Sequence, residues 1–133
     1  MTKNPLDDVL AEEVEFEFQN GNLLCVDKVT GSSYDIFQKI NIIAGEHGIG
    51  RIRVMEGKLR GTKCRGIYEA PALTLLGAIY RQFYDLTLNP NEQKELNSLT
   101  KQYAQAVYAG EYYTTKNKTV REQLANRDRK SVV

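Results

Sequence analysis

Between Gly45 and Pro71 the chain sets Gly45, Gly48, Gly50, Gly57, Gly61 and Gly66 around two short apolar runs, Ile49 to Met55 and Ile67 to Tyr68. Charged side chains crowd the ends of both runs. This pattern predicts two strands joined by a tight connection, because short apolar runs bounded by glycine and polar groups read as strands. Whatever the rest of the chain does must accommodate a glycine-punctuated hairpin at its centre.

The flanking segments fit around it. Residues 1–12 are polar, carry Pro5 and an acidic cluster, and read as a flexible arm ahead of a single domain over 13–133. Val14-Glu15-Phe16-Glu17-Phe18 alternates with the period of a half-buried strand. Asn20-Gly21 is a hairpin turn, since both central residues of that turn need positive φ, and Leu23 to Val26 returns as its second strand. Ser32 or Ser33 can cap a helix bearing Tyr34, Phe37, Ile40 and either Ile43 or Ala44 at helical spacing, ended by Gly45 and Gly48.

After the central hairpin, strands near 50–56 and 65–69, Pro71 suits the first turn of a helix running to about Leu86. Its wide apolar face is Leu75, Leu76, Ile79, Tyr80 and Phe83. Asn89-Pro90 opens another helix, to about Ala109, with a narrower stripe of Leu96, Leu99, Tyr103, Ala106 and Val107. Gly110 stops it. Thr119 with Glu122 predicts a capping box for a last short helix over 120–129; so polar a helix either frays or docks on another subunit. The order of elements predicts an α+β fold: an antiparallel sheet of four to five strands with three to four helices on one face.

At 133 residues the chain is one domain by size, and such domains remove roughly two-thirds of their unfolded surface from water. Its net charge of +1 gives no global attraction to nucleic acid or an acidic membrane. Cys25 and Cys64 lie in separate elements without metal-ligand spacing and read as reduced thiols. With one histidine, His47, and no cysteine cluster, no metal site is expected. No window approaches a membrane span and the start has no signal-peptide core, so the default is a soluble cytoplasmic protein.

Glu56 and Tyr68 lead the candidates for chemistry. They lie on the two strands flanking Gly61, where a carboxylate can take the ammonium group of an amino acid and a phenol can donate or accept beside it. Read from the residues alone, they are first a solvated strand-end carboxylate and a packed tyrosine, as most such groups are. Arg51, Arg53, Lys58, Arg60, Lys63 and Arg65 are locally dense, but side chains alternate across a strand and no aromatic residue interleaves with them before Tyr68. Nucleic acid is therefore not an expected partner. Tyr108, Tyr112 and Tyr113 close the long helix region and suit either an oligomer interface or core packing.

The fixed residues Gly48, Gly50, Arg51, Ile52, Glu56, Gly61, Lys63, Arg65, Gly66, Tyr68, Glu69 and Pro71 resemble the signature of the C-terminal, synthetase domain of argininosuccinate synthase. That signature runs roughly G-x-G-R-I-D-x-V-E-N-R-x-x-G-x-K-S-R-G-x-Y-E-x-P. Ala104, Val107, Tyr108, Gly110 and Tyr112 resemble the family's A-x-x-V-Y-x-G-x-W segment. The resemblance implies that Glu56 and Tyr68 contribute to a citrulline site, with Arg51, Lys63 and Arg65 as supporting residues. It also implies that Tyr108, Tyr112 and Tyr113 belong to C-terminal helices mediating subunit contacts in a homo-oligomer. In the complete family, citrulline and aspartate are joined with ATP and magnesium. The nucleotide-binding domain with its serine-glycine-glycine phosphate loop has no counterpart here, so no cofactor is expected in this chain, and a separate nucleotide-binding domain is an expected partner. The chain departs from the signature at Gly57 (usually asparagine), Lys58 (arginine), Cys64 (serine), Ala70 (threonine) and Ala72-Leu73 (a glycine-rich pair).

Three functions are consistent with these residues: part of a ligase, inactive alone; a non-enzymatic assembly or regulatory module; and a weak amino-acid sensor.

Overall fold

The computed structural model describes residues 2–4, 10–58 and 61–131, with side chains as far as residue 127. Its elements are β1 (Phe16–Gln19), β2 (Asn22–Val26), α1 (Ser33–Glu46), β3 (Arg51–Gly57), β4 (Lys63–Glu69), α2 (Pro71–Thr87), α3 (Pro90–Tyr108) and α4 (Thr115–Ser131). The class is α+β, as the alternating and helical periods predict. The four strands form two separate antiparallel hairpins, β1–β2 and β3–β4, rather than one sheet of four to five strands. Each hairpin closes on its own tight turn, and no ladder joins one to the other among the described residues.

The chain divides into two compact units. The first comprises Met1–Phe16 and Cys25–Ile79. In it α1 is capped by Ser32, whose hydroxyl accepts from the Asp35 N–H at 3.3 Å while the Asp35 carboxylate accepts from the Ser32 N–H at 3.0 Å, a reciprocal capping box. The buried stripe of α1 is Ile36, Ile40, Ile43 and Ala44. Ile40, Ile43 and Ala44 are buried as expected, whereas Tyr34 and Phe37 stay exposed at 70% and 37% and Ile36 is buried in their place. Cys25, Val26, Ala72 and Leu76 are the unit's other buried apolar residues, and both cysteines are free thiols.

Gly50 joins the hairpin to α2. Its φ is +106°, and a Cβ there would lie 2.5–2.8 Å from the backbone of Ala70 and Pro71. The Ala70 N–H donates to the Gly50 carbonyl at 2.9 Å. Asn41 of α1 accepts from the Ala72 N–H at 2.9 Å, satisfying one of the donors that open α2. Within the segment read as a flexible arm, Thr2 is 4% exposed and the Lys3 N–H donates to the Gly45 carbonyl at 2.9 Å. Residues 5–9 of that segment, and Arg60 of the basic group, lie outside the described residues.

The second unit comprises Glu17–Leu24 and Tyr80–Val133. Asn20 and Gly21 take φ of 50° and 80°, the positive values the Asn-Gly turn requires. Phe18 packs edge-on against Tyr80 and Phe83, with ring centroids 5.4 and 5.2 Å away, and the Tyr80 hydroxyl donates to the Gly21 carbonyl at 2.7 Å. Helix α3 opens on a second capping box, Asn89 with Glu92. Helix α4 begins at Thr115, five residues before the expected start, because Thr114 rather than Thr119 supplies the cap: its hydroxyl accepts from the Asn117 N–H at 3.3 Å. Nor does α4 fray. It packs on α3 through a narrow strip holding the buried Asn117 and Val120, and Arg127 pairs with Glu92 at 3.1 Å and with Glu95. These pairs tie α4 to Glu92 in the first turn of α3 and to Glu95 in the next.

The Gly50 junction yields a stability test. Gly50→Ala must relieve a steric overlap with backbone and an unfavourable φ together, so it should destabilise the chain by about 3 kcal/mol. Gly57→Ala, where a Cβ meets nothing within 4 Å, should change stability by less than about 1 kcal/mol. Urea unfolding of the two variants side by side measures both.

Candidate functional site

The hairpin β3–β4 runs in a register that pairs Glu56 with Cys64, Val54 with Gly66 and Ile52 with Tyr68. Residues opposite one another in an antiparallel pair share a face, and alternate residues along a strand share a face. Ile52, Val54, Glu56, Cys64, Gly66 and Tyr68 therefore occupy one side of the ribbon, and Lys58 continues it. The tip is closed by Gly61, φ +84°, through hydrogen bonds from the Lys58 N–H to the Thr62 carbonyl at 2.7 Å and from the Gly61 N–H to the Lys58 carbonyl at 2.8 Å.

Tyr68 sits four residues along β4 from the partner of Glu56, about 13 Å of strand. The side chains meet nonetheless: the Tyr68 hydroxyl donates to Oε1 of Glu56. The tyrosine ring reaches that far by lying back along its own strand over Gly66, where an added Cβ would come within 2.6 Å of Cε2 and 3.1 Å of the hydroxyl. Only the absence of a side chain at 66 leaves room for this bed. The other oxygen, Oε2, faces the Lys58 ammonium at 3.7 Å. The Glu56 side chain is 26% exposed, so the cluster is open to solvent.

The electrostatics follow. The hydrogen bond to Glu56 foremost, then burial and the negative charge of Glu56, holds the Tyr68 hydroxyl above its ordinary value of 10.0. The Cys64 charge foremost, then Glu56, holds the Lys58 ammonium above its ordinary value of 10.5. Both folded values are raised, so the protonated forms support the fold below those ordinary values, and this support is lost only as pH rises through the folded ones.

The supporting residues do not join it. Arg51, Lys63 and Arg65 fall on the opposite face, with Arg53, because they are odd-numbered positions in this register. Arg51 instead donates to Glu69 at 3.1 and 3.3 Å and to the Thr2 carbonyl at 2.9 Å, a clasp on the first residues. His47 is the C-cap of α1 and meets Glu12 at 2.9 Å. A cleft of about 600 Å³ lined by Thr2, Gln38, Asn41, Gly45, Glu69 and Pro71 includes neither Glu56 nor Tyr68. In the second unit, Tyr112 and Tyr113 stack edge-on at 4.9 Å, Arg121 lies 4.2 Å over the Tyr112 ring, and Tyr108 and Tyr113 are 57% and 91% exposed. Among the described residues no group of three or more His, Cys, Asp or Glu could hold a metal ion, and no helix is long and apolar enough to cross a membrane.

Reading the sequence did not single out Lys58, Cys64 and Gly66 as members of this cluster. The signal was present: once Gly61 marks the turn, residues 56, 58, 64, 66 and 68 share a face by parity.

The ring bed makes a titration test. With side-chain labelled tyrosine, the Tyr68 resonance, assigned by its loss in Tyr68→Phe, should titrate above 10.0. Gly66→Ala displaces the ring and should return the midpoint to the ordinary value while the amide spectrum of β3 persists. An unchanged midpoint in Gly66→Ala would show that the ring does not depend on the bed.

A sequence profile described as the Arginosuccinate synthase C-terminal domain matches residues 1–132. The chain is similar to argininosuccinate synthase of Prochlorococcus marinus subsp. pastoris, 40% identical over 77% of this chain and 25% of the relative. It is also similar to that of Geobacter sulfurreducens, 38% identical over 76% and 25%, and of Geotalea daltonii, 34% identical over 90% and 29%. It thus spans between a quarter and a third of the length of these relatives. With the profile covering nearly every residue and the hairpin carrying the signature in register, the chain belongs to the argininosuccinate synthase C-terminal domain family.

Proposed function

We propose that this chain supplies part of the amino-acid site of an argininosuccinate-forming ligation in arginine biosynthesis, recognising a citrulline-like zwitterion through Glu56 and Tyr68. The observation that carries the reading is their junction: two residues twelve positions apart are brought together on an open face, with the carboxylate oriented by the phenol. In this reading Glu56 takes the ligand's ammonium and Tyr68 holds the carboxylate in place and contacts the rest of the molecule.

Alone, the chain does not perform the ligation. Its residues do not fit a nucleotide-phosphate cradle. Gly48 and Gly50 lead into a strand, Gly50 is pressed against the backbone of Pro71, and the Ala72 N–H at the start of α2 is already taken by Asn41. ATP and its magnesium would be held by a separate nucleotide-binding domain, and the exposed Tyr108 and Tyr113, with the half-buried Tyr112 between them, would serve contacts between copies of the chain. The alternative, a non-enzymatic assembly or regulatory module or a weak sensor, draws on the exposed ribbon, where Ile52, Val54, Met55, Ile67 and Tyr68 are all 39–64% exposed.

Two outcomes separate these readings. Titrating isotope-labelled protein with citrulline should move amide resonances clustered in β3 and β4, at millimolar affinity. Glu56→Gln should weaken that response roughly ten- to a hundredfold, the value of a charge-assisted hydrogen bond. Shifts elsewhere, or shifts that survive Glu56→Gln, would reject the site. Second, calorimetry should register no saturable ATP binding by the chain alone. Supplying the nucleotide-binding portion of a relative should then produce ATP-dependent product from citrulline and aspartate; its absence from an assembled mixture would favour the non-enzymatic reading.

A further inference from the structure

We propose that Lys58 completes a clamp for α-amino acids, its ammonium taking the ligand's carboxylate while Glu56 takes the ligand's ammonium and Tyr68 fixes Glu56. The inference rests on the reading of Glu56 and Tyr68 as an amino-acid site and adds the group that reads the ligand's other charge.

The geometry is that of a small dipole. Oε1 of Glu56 is occupied by the Tyr68 hydroxyl, leaving Oε2 facing Lys58 Nζ across 3.7 Å. That separation is well beyond the roughly 2.7–2.9 Å of a closed charge-assisted hydrogen bond. The pair is loose, and each member keeps hydrogen-bonding capacity unused by the other. An α-amino acid carries its two charges on adjacent carbons. Laid antiparallel to the Glu56–Lys58 pair, it replaces one slack contact with two opposed ones. Lys58 is free to adjust, since its side chain is 54% exposed. Its ammonium is a compact charge with three rotatable donors, whereas the arginine common at this position in the family signature presents a fixed planar fork. Cys64, paired with Glu56 across the ribbon, lies on the face that Lys58 continues. Lys58 and Cys64 are both departures from the signature. Two contacts are a poor grip on a free amino acid; a third, of opposite sign, gives the ligand a defined direction.

The clamp predicts a preference that depends on the carboxylate. Citrulline and its carboxamide, which keeps the ammonium but has no carboxylate charge, are titrated separately against labelled wild-type protein, Lys58→Met, Lys58→Arg and Glu56→Gln. Wild type should bind citrulline about three- to fivefold more tightly than the carboxamide, the size expected of one exposed ion pair. Lys58→Met should lose that preference by weakening citrulline alone. Lys58→Arg should retain part of it, and the Lys58 Nζ resonance should move with citrulline but not with the carboxamide. Tighter binding of both ligands by Lys58→Met would overturn the clamp, because Lys58 would then be competing for Glu56. Equal affinities in wild type would overturn it too. A citrulline response that Glu56→Gln leaves untouched, or none at all from either ligand, would reject the underlying site together with the clamp. Loss in Glu56→Gln with an indifferent Lys58→Met would reject the clamp alone.

Discussion

The first compact unit depends on a contact between two stretches of backbone. Gly50 and Ala70-Pro71 approach more closely than any side chain would permit, and the contact fixes three things at once. It closes the open end of β3–β4, it sets where α2 begins, and it brings the start of α2 to the Asn41 cap. The register of the hairpin follows from this closure at one end and the Gly61 turn at the other. With both ends set, the parity of every residue between them is determined, and parity decides which side chains can meet. Glu56 and Tyr68 are neighbours because the closure at Gly50 and Pro71 leaves no alternative register.

The site then needs only one further condition, the empty space over Gly66. A phenol four residues along the strand from the partner of Glu56 does not ordinarily reach it. It reaches because the intervening residue has no Cβ. Gly66 thus determines an interaction in which it takes no part. The same face carries Lys58, so a carboxylate, a phenol and an ammonium are collected at one end of the hairpin.

Much of this was legible in the sequence. The Asn20-Gly21 turn, the Ser32 and Asn89 caps, Pro71 at a helix start and Gly110 at a helix end all act locally, through φ preferences and hydrogen bonds spanning a few residues, and the sequence states them directly. The arrangement of the hairpins was not legible, because alternation identifies a strand without identifying its neighbours. On α1, Ile40, Ile43 and Ala44 were legible but Tyr34 and Phe37 were not, because burial, a property of the whole unit, takes Ile36 in place of its aromatic neighbours. The packing of α4 was missed because its adhesion comes from Arg127 meeting acidic residues some thirty positions earlier, a long-range pairing that composition does not reveal. At the site, the joint role of Glu56 and Tyr68 was expected only from resemblance, whereas the parity argument that adds Lys58 and separates Arg51, Lys63 and Arg65 was available from the Gly61 turn and is fixed by the register.

The β3–β4 ribbon has two strands, and so each strand has one edge without a ladder partner among the described residues. Open edges invite other chains to add strands, and exposed apolar residues such as Met55 and Ile67 strengthen the invitation. The face that bears those two residues also bears Arg53, Lys63 and Arg65. A second copy laid edge to edge in register would bring like charges together along its whole length. The density of basic residues, which at first suggests an anion to be bound, thereby acts against uncontrolled stacking. It disfavours the in-register stacking of one uncovered hairpin on another.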